Sequence, residues 1–514
     1  MFTLRVSKSE FFDRLNAEAY APKYVECTKK LNQSNLRLCT LGEIVSKKIN
    51  NSIRGISGEL DVTGASIPMF RPADISSGIA SVETAPKLTQ EFENIHKKSR
   101  VYPGDIVLGI AGSVGVVGRV PVNVSFGNIN GSSARISTGN DSLSAFLLAY
   151  LYSEYGQSSL LRYGVGSVQK HLNLEDLPNL AVAIPNELTQ KYIGNKVRQA
   201  ERLRAWAKNI EEIVNQYHFN LIPPQKALNF ERKTRSVPTD KMTDRMDAHF
   251  YPAVVDDYLK SSSVNFELLN NLCSSIFNGQ TQPETINEYC EQITVTNLSS
   301  MFISGQPRKV EKPSDNKRFL KPHDILLCNA AHNKTYIGRH ITYNHSEKLI
   351  LPSTEVMVIR AESDLVPASY LRSYLLTKLG YVQLQSTIRG ITAHSYPTDV
   401  KQLDIPIPKI SGEARDDWFD CDKKMVAAGF ATELSTVLIS SAKLLVEALI
   451  EGKITEQDLT YAQQALDKGD NSLDLNILSR LTTTDIDEEG DPLFPDLDQL
   501  YQLLEQANNP DSEV

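Results

Sequence analysis

Asp13–Pro22 reads DRLNAEAYAP, and Asp244–Ala253 reads DRMDAHFYPA. Asp, Arg, Ala and Tyr return at the same spacing 231 residues further on. Four identities in ten positions lie within chance; a long series of further matches in unchanged order does not. The segment LGEIVSKKI from Leu41 is echoed by LNNLCSSIFNG from Leu269. YPGDIVLGIAG from Tyr102 faces KPHDILLCNAA from Lys321, and Gly118–Arg119 faces Gly338–Arg339. AFLLAYLYSEYG ending at Gly156 faces SYLRSYLLTKLG ending at Gly380, and LAVAIP ending at Pro185 faces LDIPIP ending at Pro408. The offset drifts only between 219 and 231. The chain therefore solves one folding problem twice, over residues 1 to about 240 and about 241 to 455, before a distinct C-terminal stretch.

Each copy predicts a mixed α/β unit. GDIVLGIAG and HDILLCNA are short apolar runs bounded by Gly, Pro and Asp, as strands are. LSAFLLAYLYSEYGQSSLLR and ASYLRSYLLTKLGYVQL space their apolar residues as helices do. A long helical segment closes each copy. In the first, Ala200, Leu203, Ala207, Ile210, Val214 and Tyr217 alternate steps of three and four, a coiled-coil-like seam. In the second, Leu434, Leu438, Ala442, Leu445 and Leu449 form a similar stripe, in a helix expected to begin after SGEARDDWFDCDKK.

Composition excludes several classes. With 41% hydrophobic and 23% charged residues the chain is an ordinary globular protein. No apolar run approaches the roughly 20 residues that span a bilayer, and the charges in MFTLRVSKSEFFDRL argue against a signal peptide. The six cysteines include no C-x-x-C pair, which predicts reduced thiols and a cytoplasmic location with no membrane partner. Cys328, His332 and His340 match no zinc spacing, so no metal is expected. Charge is unevenly distributed. Residues 456–514 hold fifteen acids and two bases, a net of −13 against −8 for the whole chain, leaving +5 for residues 1–455. The tail is expected to be a solvated, partly disordered extension, or else a segment that docks a partner or shields the basic body from DNA.

No catalytic constellation stands out. Gly109, Gly112, Gly115 and Gly118 tempt a phosphate-loop reading, but neither G-x-x-x-x-G-K-[ST] nor G-x-G-x-x-G is present, and the second copy keeps only the last glycine. Tight turns or close backbone approach explain them better. No G-x-S-x-G elbow, H-E-x-x-H pair or N-P-P-[YF] motif occurs, and no cofactor is expected. A long duplicated chain without catalytic motifs points to binding, and duplication points to a ligand with two halves. The candidate contacts in the first copy are Lys47, Lys48 and Arg54 in SKKINNSIRG, and Gln169, Lys170 and His171 after a double-Gly turn. In the second copy they are Arg308, Lys309, Asn333, Lys334, Arg389, Thr392 and His394. Lys and Arg neutralise phosphates, and Arg, Gln and Asn can read base edges, so these residue types suit DNA.

The succession of segments resembles the specificity (S) subunits of type I restriction-modification systems. The resemblance rests on RLNAEAY and RMDAHFY, on PGDIVL and PHDILL, on the Gly-centred loops ahead of LAVAIP and DIPIP, on the long helices, and on LLVEALIEGKIT at Leu444–Thr455. It covers residues 1–455. It implies an α/β (mixed α+β) fold with two tandem target-recognition domains, 1–185 and 226–410. Antiparallel coiled-coil-like spacer helices, 186–225 and 411–455, would separate them, with an acidic C-terminal tail at 456–514. It further implies a non-enzymatic DNA-binding subunit of a phage-defence system, reading a bipartite double-stranded site. Two methyltransferase subunits and a restriction/translocase subunit would be its partners. A helix of about 45 Å spans about 13 base pairs at ~3.4 Å each, which suits half-sites with an unread gap. The tail lies outside the family pattern. The alternative is a related defence component that uses the duplicated fold as a protein scaffold; a third class, an enzyme in its own right, would show turnover with S-adenosylmethionine or ATP.

Overall fold

The computed structural model describes residues 17–52, 60–166, 170–224, 228–230, 236–237, 239, 242–261 and 264–509. Two compact units emerge: Met1–Ala205 with Glu433–Ser512, and Trp206–Thr432 with Glu513–Val514. The division falls inside two long helices, Glu187–Leu221 and Glu413–Glu451.

In the first unit a five-stranded sheet runs Asn50–Asn51, Ser133–Ile136, Ile106–Gly109, Val117–Arg119, Gly78–Ile79. A three-stranded sheet is built on Ile67–Phe70, and Arg37–Thr40 pairs antiparallel with Ala181–Ile184. Phe70, Ile75, Val101, Val107, Val120 and Ile129 make the core between strands. Each such side chain contributes about 1.5–3 kcal/mol by leaving water. The glycine-rich loop belongs to this packing. A Cβ on Gly109 would collide with the Ser113 carbonyl oxygen, and one on Gly118 would lie 2.8 Å from Ile75.

The second unit repeats much of the plan, with a four-stranded main sheet. Asn265–Leu268 pairs with Asp404–Ile407 in the register of Arg37–Thr40 with Ala181–Ile184. Ile325 faces Ile359 as Ile106 faces Ile136. The PGD and PHD turns work alike: Asp105 accepts from the Tyr102 N–H at 2.9 Å and Asp324 from the Lys321 N–H at 2.8 Å. Gly104 and His323 both take positive φ, at +85° and +70°. The helix pair Asp141–Tyr152 and Glu154–Arg162 corresponds to Ala368–Leu376 and Lys378–Ser386. Its second helix is capped by Ser153 in one unit and Thr377 in the other, each hydroxyl accepting from the third residue on, Gly156 or Gly380. Only glycine fits there. A Cβ would collide with the carbonyl of Tyr150 in one unit and of Tyr374 in the other.

One correspondence read from the sequence is corrected. Arg119 lies opposite Ile106 in its ladder, but the residue opposite Ile325 is Tyr343, four positions beyond Arg339. The loops before this strand differ in length, so matching the Gly-Arg pairs misplaces the register. Buried Arg119 bonds Glu201 of the first long helix at 2.6 Å, and buried Tyr343 bonds Asp422 of the second at 3.2 Å. Different chemistry thus ties sheet to helix at one position.

The second long helix also starts earlier than its acids suggest, at Glu413. Trp418, Cys421 and Met425 recur at three and four residues and are buried, while Glu413 and Asp416 in the first turn complement the helix dipole. The residues of both predicted stripes are buried, except Tyr217, which is half-buried. In the first unit Arg204 donates to Ser435 Oγ at 2.9 Å and to Thr436.

The acidic tail is folded through residue 509. Glu456–Leu466, Ser472–Ser479 and Leu497–Asn508 are helices, and Leu459, Ala462, Ile477, Leu478, Leu500, Leu503 and Leu504 are buried. They pack on the start of the first long helix. Lys196 Nζ donates to both Asp474 oxygens at 2.6 and 2.7 Å with both side chains 1% exposed. Tyr192 and Tyr501 hydroxyls donate to the same carboxylate. Burial would push the Asp474 carboxyl up; Lys196 and the two hydroxyls outweigh it and hold it below the usual carboxylate range. Among the described residues no helix is long and apolar enough to cross a membrane.

Candidate nucleic-acid interface

In the second unit the strand Ala330–Ala331 pairs antiparallel with Ala393–His394. The latter closes a hairpin in which Arg389 and His394 exchange both backbone hydrogen bonds, at 2.8 and 3.2 Å. Gly390 turns it with φ +76°. The base of the hairpin is ionic. Asp399, 3% exposed, accepts from Arg389 Nε at 2.7 Å and Nη2 at 2.5 Å, and from Arg245 Nη1 at 3.1 Å. Arg245 also donates to Asp247 and to the carbonyls of Thr387 and Ile388. The arginine of the Asp-Arg marker that opens the second repeat, Arg245, is therefore a brace for this loop. Its counterparts Asp13 and Arg14 lie outside the described residues.

In the first unit the backbone bridges recur among the described residues. Val165 and His171 exchange backbone hydrogen bonds at 2.8 and 2.9 Å, Gly166 takes φ +105°, and His171 bridges to Ala111, the position answering to Ala330. Each unit thus presents a turned hairpin beside a second loop.

The residues selected from the sequence divide. Thr392 is exposed and His394 half-buried on the hairpin, with His394 Nδ1 2.7 Å from the Thr392 carbonyl. Arg389 is engaged with Asp399. Asn333 caps a short turn, accepting from the Thr335 N–H at 3.0 Å, and Lys334 follows it, exposed. Arg308 and Lys309 lie on a different sheet, on the strand Arg308–Glu311. There Arg308 is 3.5 Å from Glu284 and Lys309 stands 4.3 Å over the Tyr289 ring. Lys170 pairs with Glu18 at 3.3 Å. Lys47 and Lys48 are exposed, Lys47 lying 5.4 Å over the Tyr102 ring. Arg54 and Gln169 lie outside the described residues.

The structure adds cations that the sequence motifs do not pick out. Asn50 Nδ2 donates to the Lys98 carbonyl at 2.5 Å, and Arg135 Nη1 donates to the carbonyls of Arg100 at 2.7 Å and Lys98 at 3.3 Å. These bonds bring the exposed Lys97 and Lys98 to the segment that carries Lys47 and Lys48. Their signal in the sequence is the charge run in HKKSR, which lacks the Gly-flanked turn that marks the other loops. In the second unit an open cleft of about 640 Å³ lies beside the Asn333 turn, lined by Thr335, Arg339, Thr377, Lys378 and Tyr381. Among the described residues no group of three or more His, Cys, Asp or Glu is arranged to hold a metal, and the Cys328 thiol donates to the Ala330 carbonyl at 3.3 Å.

These features define a class: an α/β protein with a repeated unit, each unit closing a glycine-flanked backbone bridge beside a companion strand or loop. Residues 36–216 match the family described as type I restriction modification DNA specificity domain. The type I restriction enzyme EcoBI specificity subunit of Escherichia coli is 30% identical over 196 residues, spanning 37% of this chain and 40% of that subunit. Among solved structures, the type I restriction-modification S subunit of M. genitalium aligns at 13% identity over 85% of this chain and 96% of its own, with TM-score 0.35. The HsdS subunit of Thermoanaerobacter tengcongensis aligns at 15% identity over 81% and 97%, with TM-score 0.26. Over residues 36–216 the chain is thus similar to the type I restriction-modification specificity subunits, and the match spans less than half the length of the curated relative.

Proposed function

We propose that the chain is the sequence-reading subunit of a type I restriction-modification complex. It binds double-stranded DNA at a bipartite site, one half-site per unit. Its partners are methyltransferase subunits, two in number, and a restriction/translocase subunit, which supply the chemistry that this chain does not perform. The target-recognition domains are residues 1–185 and 226–410, with 186–225 and 411–455 as antiparallel spacer helices. The observation that carries the reading is the paired hairpin: Gly166 and His171 against Ala111 in one unit, Gly390 and His394 against Ala330 in the other. Equivalent loops on equivalent frames suit a ligand whose two halves have the same backbone and different bases.

Methylome sequencing of the host with and without the gene tests this. Loss of one split methylated motif on deletion is the expected result. An unchanged methylome would favour the scaffold reading, in which the duplicated fold meets a partner protein; the ion pairs that engage Arg389 and Arg308 are the observation on that side.

A further inference from the structure

We propose that the hairpin Arg389–His394 recognises a thymine in the major groove through Ile391, whose side chain packs on the C5 methyl group. The inference rests on the DNA reading above and names one base contact within it. Ile391 is fully exposed, at 105% of its reference accessibility. A β-branched side chain is stiff at χ1, and the backbone that carries it is held: the hairpin is closed by two hydrogen bonds, braced below by Asp399, and flanked by Ala330–Ala331.

The surroundings choose the ligand. Arg389, Thr392 and His394 share the hairpin, and the companion strand leads into Asn333 and Lys334. A protein partner would ask for a contiguous apolar patch. Ile391 stands at the apex, above the Thr392 hydroxyl and the exposed Tyr396 ring stacked on His394; one aliphatic group on such a mixed polar and aromatic surface fits a polyanion that displays isolated methyl groups, and in the major groove that group is the thymine methyl. The apex of the first unit's hairpin, residues 167–169, lies outside the described residues, so the assignment is made for the second unit alone.

The test begins by selecting the bound sequence from random duplexes with the full-length chain assembled with methyltransferase subunits from its host, because the chain alone is expected to bind weakly and without specificity. Each thymine of the selected site is then replaced by deoxyuridine, which removes only the methyl group. Wild type should weaken about fourfold at one position of one half-site, the effect of one buried methyl. I391A should bind the thymine and uracil duplexes equally, I391V should keep the discrimination, and both should melt with wild type, since the side chain is exposed. The proposal is overturned if wild type tolerates every replacement, if I391A discriminates as wild type does, or if I391A loses DNA bending instead, which would make the side chain a wedge between base steps. A chain that selects no sequence overturns the DNA reading itself, and the thymine contact with it.

Discussion

At the scale of single residues, positions used twice show what the fold demands. Asp105 and Asp324 both fold back onto a backbone N–H, and Gly156 and Gly380 both sit where no Cβ fits. Such positions are legible because local geometry dictates the residue type. Buried partners are not, because they are set by distant chain. His218 is one of these. Its Nδ1 lies 3.1 Å from Ser373 Oγ, and burial pushes its imidazole down to about 3 from an ordinary 6.5. The folded chain keeps this ring neutral while the unfolded chain protonates it below about pH 6.5. Unfolding therefore takes up a proton between about pH 6.5 and 3, so the contribution is full above that window and is lost as pH falls through it. Comparing wild type with His218→Leu by urea unfolding at about pH 7 and about pH 5 should show a smaller loss of stability on acidification in the variant. Equal losses would remove His218 as a source of acid lability.

At the scale of elements, the tail is where composition misleads. Fifteen acids conceal an apolar stripe at Leu500, Leu503 and Leu504, and the acids that face inward are paired or cap helices. Asp474 shows how firmly the tail is joined to the first long helix. Asp474→Ala leaves Lys196 buried without its carboxylate, a loss of about 3–5 kcal/mol. The paired replacement Lys196→Met with Asp474→Leu should recover much of it, because it removes both charges. Thermal unfolding of wild type, the single variant and the double variant checks both statements. The same bond bears on deletion of 456–514, which would strand Lys196 as well as remove negative charge, so a change in DNA affinity on deletion would not isolate the electrostatic effect.

At the scale of the whole molecule, the duplication is readable because the order of turns, strands and helices survives where identities do not. Loop lengths are not readable, which is why the sequence aligns Arg119 with Arg339 while the strand ladders align it with Tyr343. The candidate interface is half legible. The Gly-turned hairpins stand out in sequence, whereas the meeting of Lys47 and Lys48 with Lys97 and Lys98 depends on hydrogen bonds across 48 residues, such as that from Asn50 to Lys98. If these four lysines neutralise phosphates, replacing them by alanine should flatten the dependence of log K on log salt by about 0.9 for each phosphate no longer neutralised, and weaken all sequences alike. Binding titrations between about 50 and 200 mM salt measure it; an unchanged slope would remove the patch from the interface.

The brace at Arg245 has a consequence for inheritance. Arg245 stands near the entry to the second repeat and Asp399 near its exit, and the strands Asn265–Leu268 and Asp404–Ile407 run side by side. The cassette is latched where it begins and ends. A crossover that cuts ahead of Thr243 and beyond Ile407 carries both halves of the latch with it, so recombination can trade the braced hairpin as a finished block, whereas a crossover between Arg245 and Asp399 can part the latch from its partner.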